Sequence, residues 1–341
     1  MARIAVRDIE PGDVAACAAL LAARHRRDMN RLPHLDPALR EAKVCESLIG
    51  PLVSNPRADG LIAESAGSPV GFLIGERMML SPADFASNFI PPHSIAIPVE
   101  GHAFAEAADP LEVLRPLYAE LGSRWTNDGF FHHRAGIPAG DAAAQEAWVT
   151  LGFGRKLTAA TRTTADEVVV AHPRPLRIEQ ASPEDIDDVM ALVDEQNRWH
   201  WGSPIFWPVL RSAEEAARAF NLNSLRSSDI PYFLAYDEGR AAGMQSFLKP
   251  GFTPPIIKGE TNVYLFEGIV ASDARGGGIG TGLLRESMAW ASRSGYESCT
   301  LHFASGNPLG APFWIGNGFV PIEHTMANVV DERVAWGRPK D

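Results

Sequence analysis

The sequence repeats itself once, and an internal repeat determines the architecture of a chain more strongly than any local pattern. Near the start, Pro11 and Asp13 follow a short apolar run, and Pro183 and Asp185 follow a similar run in the second half. Toward the end of each half, four positions recur with one constant spacing. They are Asp141, Trp148, Gly152 and Phe153, which return as Asn307, Trp314, Gly318 and Phe319. The 341 residues therefore predict two copies of one fold.

The boundary between the copies is predicted near residue 172, where the sequence His-Pro-Arg-Pro interrupts the apolar pattern. This gives two domains, 1–171 and 172–341. Each copy reads as a strand, a helical region, a hairpin, a further strand, a helix, a strand, a short helix and a closing strand. The turns of the hairpins are predicted at Gly67–Ser68 and in the run Asp237–Arg240. The fold class is α+β, with a mixed, mostly antiparallel sheet flanked by helices.

Composition narrows the kind of protein. Apolar residues form no run long enough for a membrane span, and the N-terminus carries charges where a secretory peptide is apolar, so we expect a soluble, cytoplasmic protein. Cys17, Cys45 and Cys299 lack metal-ligand spacing and are expected to be buried thiols, with no metal bound. A net charge of -11 argues against nucleic acid and mildly favours cationic partners such as amines.

A glycine cluster after an apolar strand carries the strongest chemical signal. Residues 267–282 read EGIVASDARGGGIGTG and lead into a helical pattern. Glycines let backbone N–H groups approach a ligand closely, and a helix N-terminus carries partial positive charge, so together they suit a pyrophosphate. No Lys-Ser/Thr pair follows, and the context of a dinucleotide-binding fingerprint is missing. A glycine-rich turn without a ligand is the simpler alternative.

The motif around this loop resembles the GCN5-related N-acetyltransferase (GNAT) family. Arg275, Gly278 and Gly280 match the family's RxxGxG loop. Asn307, Ala311, Trp314, Gly318 and Phe319 match its downstream pattern NxxxAxx[YW]xxxGF. The resemblance covers roughly residues 176–338, and it implies an acetyl-CoA site in the second copy.

By this resemblance, Gly268, Ile269 and Val270 would pair with the pantetheine arm, and a backbone N–H near Val270 would meet the oxyanion. Asn307 would bond to the pantetheine or thioester, or it would only initiate a turn before Pro308. Trp314 stands where the family usually has a tyrosine acid, and its match in Trp148 favours packing. The pyrophosphate loop would consist of Arg275, Gly276, Gly277, Gly278, Ile279, Gly280 and Thr281.

The first copy departs from the motif. Ala108 stands where Arg275 would, and Glu106 and Asp109 bring carboxylates to the place of the phosphates. We therefore expect this copy to be degenerate, with a supporting or substrate-shaping role.

Two side chains compete as the base that takes the amine proton. His302 lies between Leu301 and Phe303, so strand alternation places its ring on the face opposite to theirs, and imidazole titrates near neutral pH. The alternative is a structural strand histidine. Glu267 lies on the strand that the cofactor would line, but Glu100 repeats it in the degenerate copy, which favours a structural role.

The aromatic residues Trp199, Trp201 and Phe206 are predicted to bind the acceptor, because aromatic faces hold ammonium groups; a hydrophobic interface between the copies is equally compatible with them. Taken together, the sequence predicts an N-acetyltransferase that moves an acetyl group from acetyl-CoA to a primary amine of a small molecule in a ternary complex. A non-catalytic acyl-CoA-binding or sensing protein is the alternative, and a purely structural tandem is a third. The oligomeric state is not predicted.

Overall fold

The computed structural model describes residues 4–169, 176–227, 231–249 and 253–337. The order of elements predicted for each copy is confirmed. In the first copy these are β1 (Ile4–Asp8), α1 (Val14–Met29), α2 (Ala42–Ser54), β2 (Ala58–Ser65), β3 (Ser68–Met79), β4 (His93–Ile97), β5 (His102–Phe104), α3 (Pro110–Asn127), β6 (His132–Pro138), α4 (Ala142–Thr150) and β7 (Gly154–Thr163). In the second they are β8 (Arg177–Gln180), α5 (Ile186–Trp201), α6 (Glu214–Leu225), β9 (Tyr232–Asp237), β10 (Arg240–Leu248), β11 (Asn262–Val270), α7 (Ile279–Arg293), β12 (Ser298–Ala304), α8 (Gly310–Gly316) and β13 (Val320–Val329), followed by α9 (Arg333–Trp336).

Both hairpins turn through a residue pair with left-handed backbone. Glu238 and Gly239 have φ of +50° and +82°, as a two-residue hairpin turn requires. Ala66 and Gly67 have φ of +51° and +79°. The second hairpin turn is confirmed, and the first lies one residue earlier than predicted, because Ser68 already pairs with Ser65.

The strands of the described residues form one continuous sheet across both copies. Its order is β1-β2-β3-β4-β6-β13-β7-β12-β11-β10-β9-β8, with β5 paired to β3. The pairs β4–β6 and β11–β12 are parallel, and the other pairs are antiparallel. The mixed, mostly antiparallel sheet of the α+β class is thus confirmed.

The closing strands of the two copies are exchanged. β7 of the first copy pairs with β12 of the second, from Thr163 opposite Ser298 to Leu157 opposite Ala304. β13 of the second copy pairs with β6 of the first, and β7 and β13 pair with each other at the centre. The sequence did not indicate this exchange. The predicted limits 1–171 and 172–341 meet at residues outside the described ranges.

Helices cover both faces of the sheet. In the first copy, α1 and α2 enclose one apolar cluster, and α3 and α4 enclose a second that contains Trp125 and Trp148. In the second copy, α5 and α7 contribute to one large cluster. Cys17, Cys45 and Cys299 are buried free thiols, as predicted.

Loops of each copy also form hydrogen bonds with the other copy. The indole Nε1 of Trp207 donates to the carbonyl of Asn88 at 2.6 Å, and the Ser212 hydroxyl donates to the carbonyl of Pro82 at 2.6 Å. In the reciprocal contact, the amide of Asp36 donates to the carbonyl of Ile256 at 2.8 Å. The two copies therefore form one interlocked body.

Candidate functional site

A cavity of about 430 Å³ lies in the second copy, bounded by α5, β10, β11, the start of α7 and α8. Eleven of the twelve predicted cofactor residues line this cavity. The exception is Gly277, whose neighbours Gly276 and Gly278 both line it. The lining members are Gly268, Ile269, Val270, Arg275, Gly276, Gly278, Ile279, Gly280, Thr281, Asn307 and Trp314. Residues far apart in sequence thus meet around one space.

One wall of the cavity is the open edge of β11. This strand pairs with β10 as far as Val270 but with β12 only from Asn262 to Leu265, so the two parallel strands separate beyond Leu265. The amide of Ala271 donates to the carbonyl of Ala242 on β10. Since N–H and C=O groups alternate between the two sides of a strand, those of Gly268 and Val270 face the gap. They offer backbone partners to an extended ligand.

The glycine loop opens α7 at the other end of the cavity. Gly276 and Gly278 have φ of +81° and +79°, a region that favours glycine. Gly278 precedes the first residue of α7, and no side chain in the described part of the chain caps this end of the helix. The first N–H groups of α7 therefore remain to bind an anion, and a carboxylate or phosphate is favoured there by the helix dipole.

Arg275 does not extend into solvent beside the loop. Its Nε donates to the carbonyl of Val270 at 3.1 Å, and its guanidinium carbon lies 4.9 Å from the centre of the Trp199 ring. The guanidinium therefore closes over the cavity between β11 and α5.

Asn307 both caps a helix and lines the cavity. Its Oδ1 accepts hydrogen bonds from the amides of Leu309 and Gly310, at the start of α8, and from Nε1 of Trp199 at 3.3 Å. The turn-forming alternative for Asn307 is thus realised. Because Oδ1 already accepts three hydrogen bonds, Asn307 would contact a ligand through its Nδ2 group, as a donor.

Trp314 packs against the backbone of β11. A Cβ atom on Gly268 would lie 2.9 Å from the Trp314 ring, so only glycine fits there. Trp314 meets Phe319 edge-on with ring centres 5.4 Å apart, and Trp148 meets Phe153 in the same way at 4.6 Å. The packing role predicted for both tryptophans is confirmed.

The α5 helix supplies the opposite wall with Gln196, Trp199 and His200. These residues are three and four positions apart and so share one helix face. Burial lowers the pKa of His200, which keeps the imidazole neutral near pH 7. Gln196 was missed at the sequence level, although its spacing from the aromatic pair would have indicated it. Of the predicted acceptor residues, Trp199 lines the cavity, whereas Trp201 and Phe206 are 71% and 70% exposed and do not.

Glu267 does not line the cavity itself, but it directly precedes Gly268, which does. It is buried, its Oε2 accepts a hydrogen bond from the Ser246 hydroxyl at 3.2 Å, and burial raises the pKa of its carboxyl to about 7. Ser246 pairs with Glu267 and Phe247 with Leu265, so Phe266 forms a β-bulge. The bulge turns Glu267 to the same face of β11 as Tyr264, which regular alternation would not do.

His302 lies away from the cavity lining. Leu301 and Phe303 belong to the core of the second copy and His302 does not, as strand alternation predicted. Its Nδ1 is 2.8 Å from the Tyr264 hydroxyl, and burial lowers the pKa of His302 to about 4, aided by the charge of Arg134. The ring is therefore neutral near pH 7 and already engaged by Tyr264.

The corresponding gap in the first copy is filled by its own side chains. Asp109 accepts a hydrogen bond from the amide of Leu111 and so caps α3, where the second copy has the uncapped end of α7. The His102 Nε2 contacts the carbonyl of Gly136 at 2.8 Å across the gap between β5 and β6. Trp148, next to His102, is completely buried.

Comparisons with known proteins agree with this geometry. The fold and site define a tandem acyltransferase-like α+β protein. Residues 187–319 match the model of the Acetyltransferase (GNAT) family. A comparison with curated protein sequences gives no match.

Two solved structures share the fold along nearly the whole chain. A GCN5-related N-acetyltransferase from Sphaerobacter thermophilus is 14% identical, with a TM-score of 0.57 and 96% of each chain covered. A tandem GNAT protein from the clavulanic acid biosynthesis pathway is 16% identical, with a TM-score of 0.52, and the match covers 99% of this chain and 100% of that one. At these identities the likeness shows the tandem GNAT fold and no acceptor.

Membrane spans and metal clusters are both absent from the described residues. None of their helices has the length and apolar character needed to cross a membrane. Their His, Cys, Asp and Glu side chains form no group of three or more placed to hold a metal ion.

Proposed function

We propose that this protein is an N-acetyltransferase that moves the acetyl group of acetyl-CoA to a primary amine of a small molecule. One observation carries the proposal: the open edge of β11 and the uncapped N-terminus of α7 face the same cavity. An ordinary glycine turn requires neither an open strand edge nor an uncapped helix N-terminus. An extended ligand that ends in phosphates would pair with the strand edge and place its phosphates at the helix N-terminus.

The residues present fit acetyl-CoA. The loop glycines Gly276 and Gly278 leave the N–H groups of α7 open to the pyrophosphate. The edge groups of Gly268 and Val270 suit the amides of the pantetheine arm, and Val270 N–H would stabilise negative charge on the acyl oxygen. Acetyl-CoA itself supplies the acetyl group and a thiol leaving group.

Glu267 is the better candidate for the base. An amine must lose a proton to become a nucleophile, and a base with a pKa near the working pH serves best. Burial holds the pKa of Glu267 near 7 beside Gly268 of the cavity wall, whereas the pKa of His302 is about 4 and its ring bonds to Tyr264. We assign the proton transfer to Glu267, directly or through one water.

The choice of a small amine rests on size and charge. The cavity of about 430 Å³ is enclosed by α5 on the side away from β11, which leaves restricted room beside an acyl-CoA arm. The net charge of -11 favours a cationic acceptor over an anionic one.

A non-catalytic acyl-CoA sensor is the second candidate, and Trp314 favours it. An indole N–H is not a usable acid, and the packing of Trp314 against Gly268 holds it in place. A sensor would bind acetyl-CoA without releasing thiol when amines are added.

Calorimetry with acetyl-CoA tests the site. Wild-type protein is expected to bind one equivalent per chain, and Gly278→Glu is expected to lose binding at least 100-fold, because a side chain strains the left-handed backbone and a carboxylate repels the phosphates. Gly295→Glu is the matched control, since Gly295 has φ of +85° at the other end of α7, outside the cavity. It should bind as wild type does.

Thiol release then separates the two functions. Spermidine, glucosamine and lysine methyl ester would each be added with acetyl-CoA. Thiol release that depends on an amine establishes the enzyme, and binding without release across a broad amine panel leaves the sensor. Absence of acetyl-CoA binding in wild-type protein overturns both.

A further inference from the structure

Arg24 and Gln196 occupy the same position in the two copies. The first helix of the first copy, α1, runs from Val14 to Met29, and its counterpart α5 runs from Ile186 to Trp201 with the same length. Arg24 lies as far from the start of α1 as Gln196 lies from the start of α5. Each therefore lies on the same turn of the first helix of its copy.

Arg24 shows how far a side chain at this position reaches. It is 1% exposed, and its Nη1 donates to the carbonyl of Val99 at 2.7 Å and to the carbonyl of His102. These carbonyls flank the interruption between β4 and β5, where Gly101 is the counterpart of Gly268. A side chain at this helix position thus reaches the strand segment that forms the open edge in the second copy.

Gln196 leaves the same space open. Its side chain lines the cavity, and its Oε1 is buried yet accepts no hydrogen bond from any residue that the structure describes. A buried acceptor without a partner is costly, and native proteins satisfy nearly all such atoms. We therefore expect Oε1 of Gln196 to accept a hydrogen bond from the molecule that binds in the cavity.

An acyl-CoA arm along β11 supplies that donor. The pantetheine arm carries two amides, so one can pair with the strand edge at Gly268 and Val270 while the N–H of the other faces away from the strand. Gln196 on α5 forms the wall on that far side. We propose that Oε1 of Gln196 accepts a hydrogen bond from a pantetheine amide N–H of acetyl-CoA, and that arginine at the same position closes the gap in the first copy. This inference rests on the proposed function.

Calorimetric titration of the full-length chain with acetyl-CoA tests the inference. Gln196→Met keeps the length of the side chain and removes the amide, and the affinity is expected to fall about tenfold, the size of one lost buried hydrogen bond. Gln196→Arg reproduces the first copy and is expected to abolish binding. Gln180→Met makes the same exchange on the exposed end of β8 and should bind as wild type does.

The outcomes are separable from those of the proposed function. If wild-type protein binds one acetyl-CoA, the proposed acetyl-CoA site is supported, whatever the affinities of the Gln196 variants. Wild-type affinity in Gln196→Met, with an unchanged melting temperature, overturns the hydrogen bond even if Gln196→Arg fails to bind. A tenfold loss in Gln196→Met and none in Gln180→Met supports it, also where Gln196→Arg does not fold.

Discussion

The Thr158 hydroxyl lies 2.9 Å from the Ser305 hydroxyl and 3.0 Å from Nδ1 of His324. Thr158 belongs to the first copy, and Ser305 lies two residues before Asn307 in the loop that borders the cavity. The amide of Ser305 also donates to the carbonyl of Lys156 at 2.9 Å. The exchanged strand β7 thus holds the loop that places Asn307, which gives the first copy a direct part in the site.

Removing the Thr158 hydroxyl is expected to weaken acetyl-CoA binding. Thr158→Val keeps the shape and leaves Ser305 and the buried His324 without a partner, so we expect the Kd to rise about threefold to tenfold and stability to fall by about 1–3 kcal/mol. Calorimetry and thermal unfolding measure the two effects. Thr163→Val, on the same strand but opposite Ser298, is the control. An unchanged Kd in Thr158→Val would show that β7 does not position the loop.

The rate of acetyl transfer is expected to rise with pH through about 7 and to level off above 8. In the proposed reaction the carboxylate of Glu267 is the active form, and burial raises the pKa of this group to about 7, so the fraction of base grows as protons leave. Glu267→Gln should lower kcat by roughly 100-fold or more and remove this pH step. The measurement is kcat against pH with the amine that gives the highest rate. Glu215→Gln, on the exposed surface of α6, serves as the control; a retained pH step in Glu267→Gln would move the base elsewhere.

Stability is expected to fall as pH rises, because of Glu323. Burial and the charge of Glu100 raise the pKa of Glu323 to about 8, against about 4.5 in the unfolded chain. The folded state therefore holds a proton that the unfolded state has lost between these values, and stability decreases with pH across that window. Above pH 8 Glu323 is ionised in the folded state, and the free energy of unfolding is lowered by the full penalty of a buried carboxylate.

Glu323→Gln should remove that loss. The variant is expected to match wild type near pH 5 and to melt roughly 5 °C higher at pH 9, the effect of about 4 kcal/mol in a chain of this length. Thermal unfolding at both pH values measures the difference. Parallel melting curves for the two proteins would mean that Glu323 ionises in its ordinary range.

The second half is not expected to fold alone. Residues 176–341 would lack β7, so β12 would expose an edge and β13 would lose both of its neighbours. Such edges promote aggregation. We expect this fragment to be insoluble or oligomeric by size-exclusion chromatography, and co-expression with residues 1–169 to restore a soluble 1:1 complex. A monomeric, folded fragment would contradict an essential role for the exchange.

Much of the cavity was predictable because its residues are set by local rules. Glycines at positive φ and a strand that leads into a helix leave a pattern in the sequence, and Gly276 and Gly278 conform to it. The hairpins and the packing of Trp314 are predictable for the same reason. Alternation also gave the side of the strand on which His302 lies.

The remaining features depend on contacts that the sequence does not reveal. The bulge at Phe266 reorients Glu267, and no residue type in this strand indicates a bulge. The engagement of His302 by Tyr264 depends on the register of β11 against β12. The strand exchange depends on which copy supplies the strand beside β6 and the strand beside β12, and no local pattern indicates this. Trp201 is the last residue of α5 and Phe206 lies in the loop after it; both are exposed, and residue type alone does not reveal this.

The exchange of β7 and β13 has a consequence during synthesis on the ribosome. The first half can leave the exit tunnel with α1–α4 formed, but the place beside β6 stays empty until residues 320–329 have been translated. Contacts that span so much of a chain form late and slowly. Until β13 has been made, the nascent first half therefore has an open sheet edge at β6.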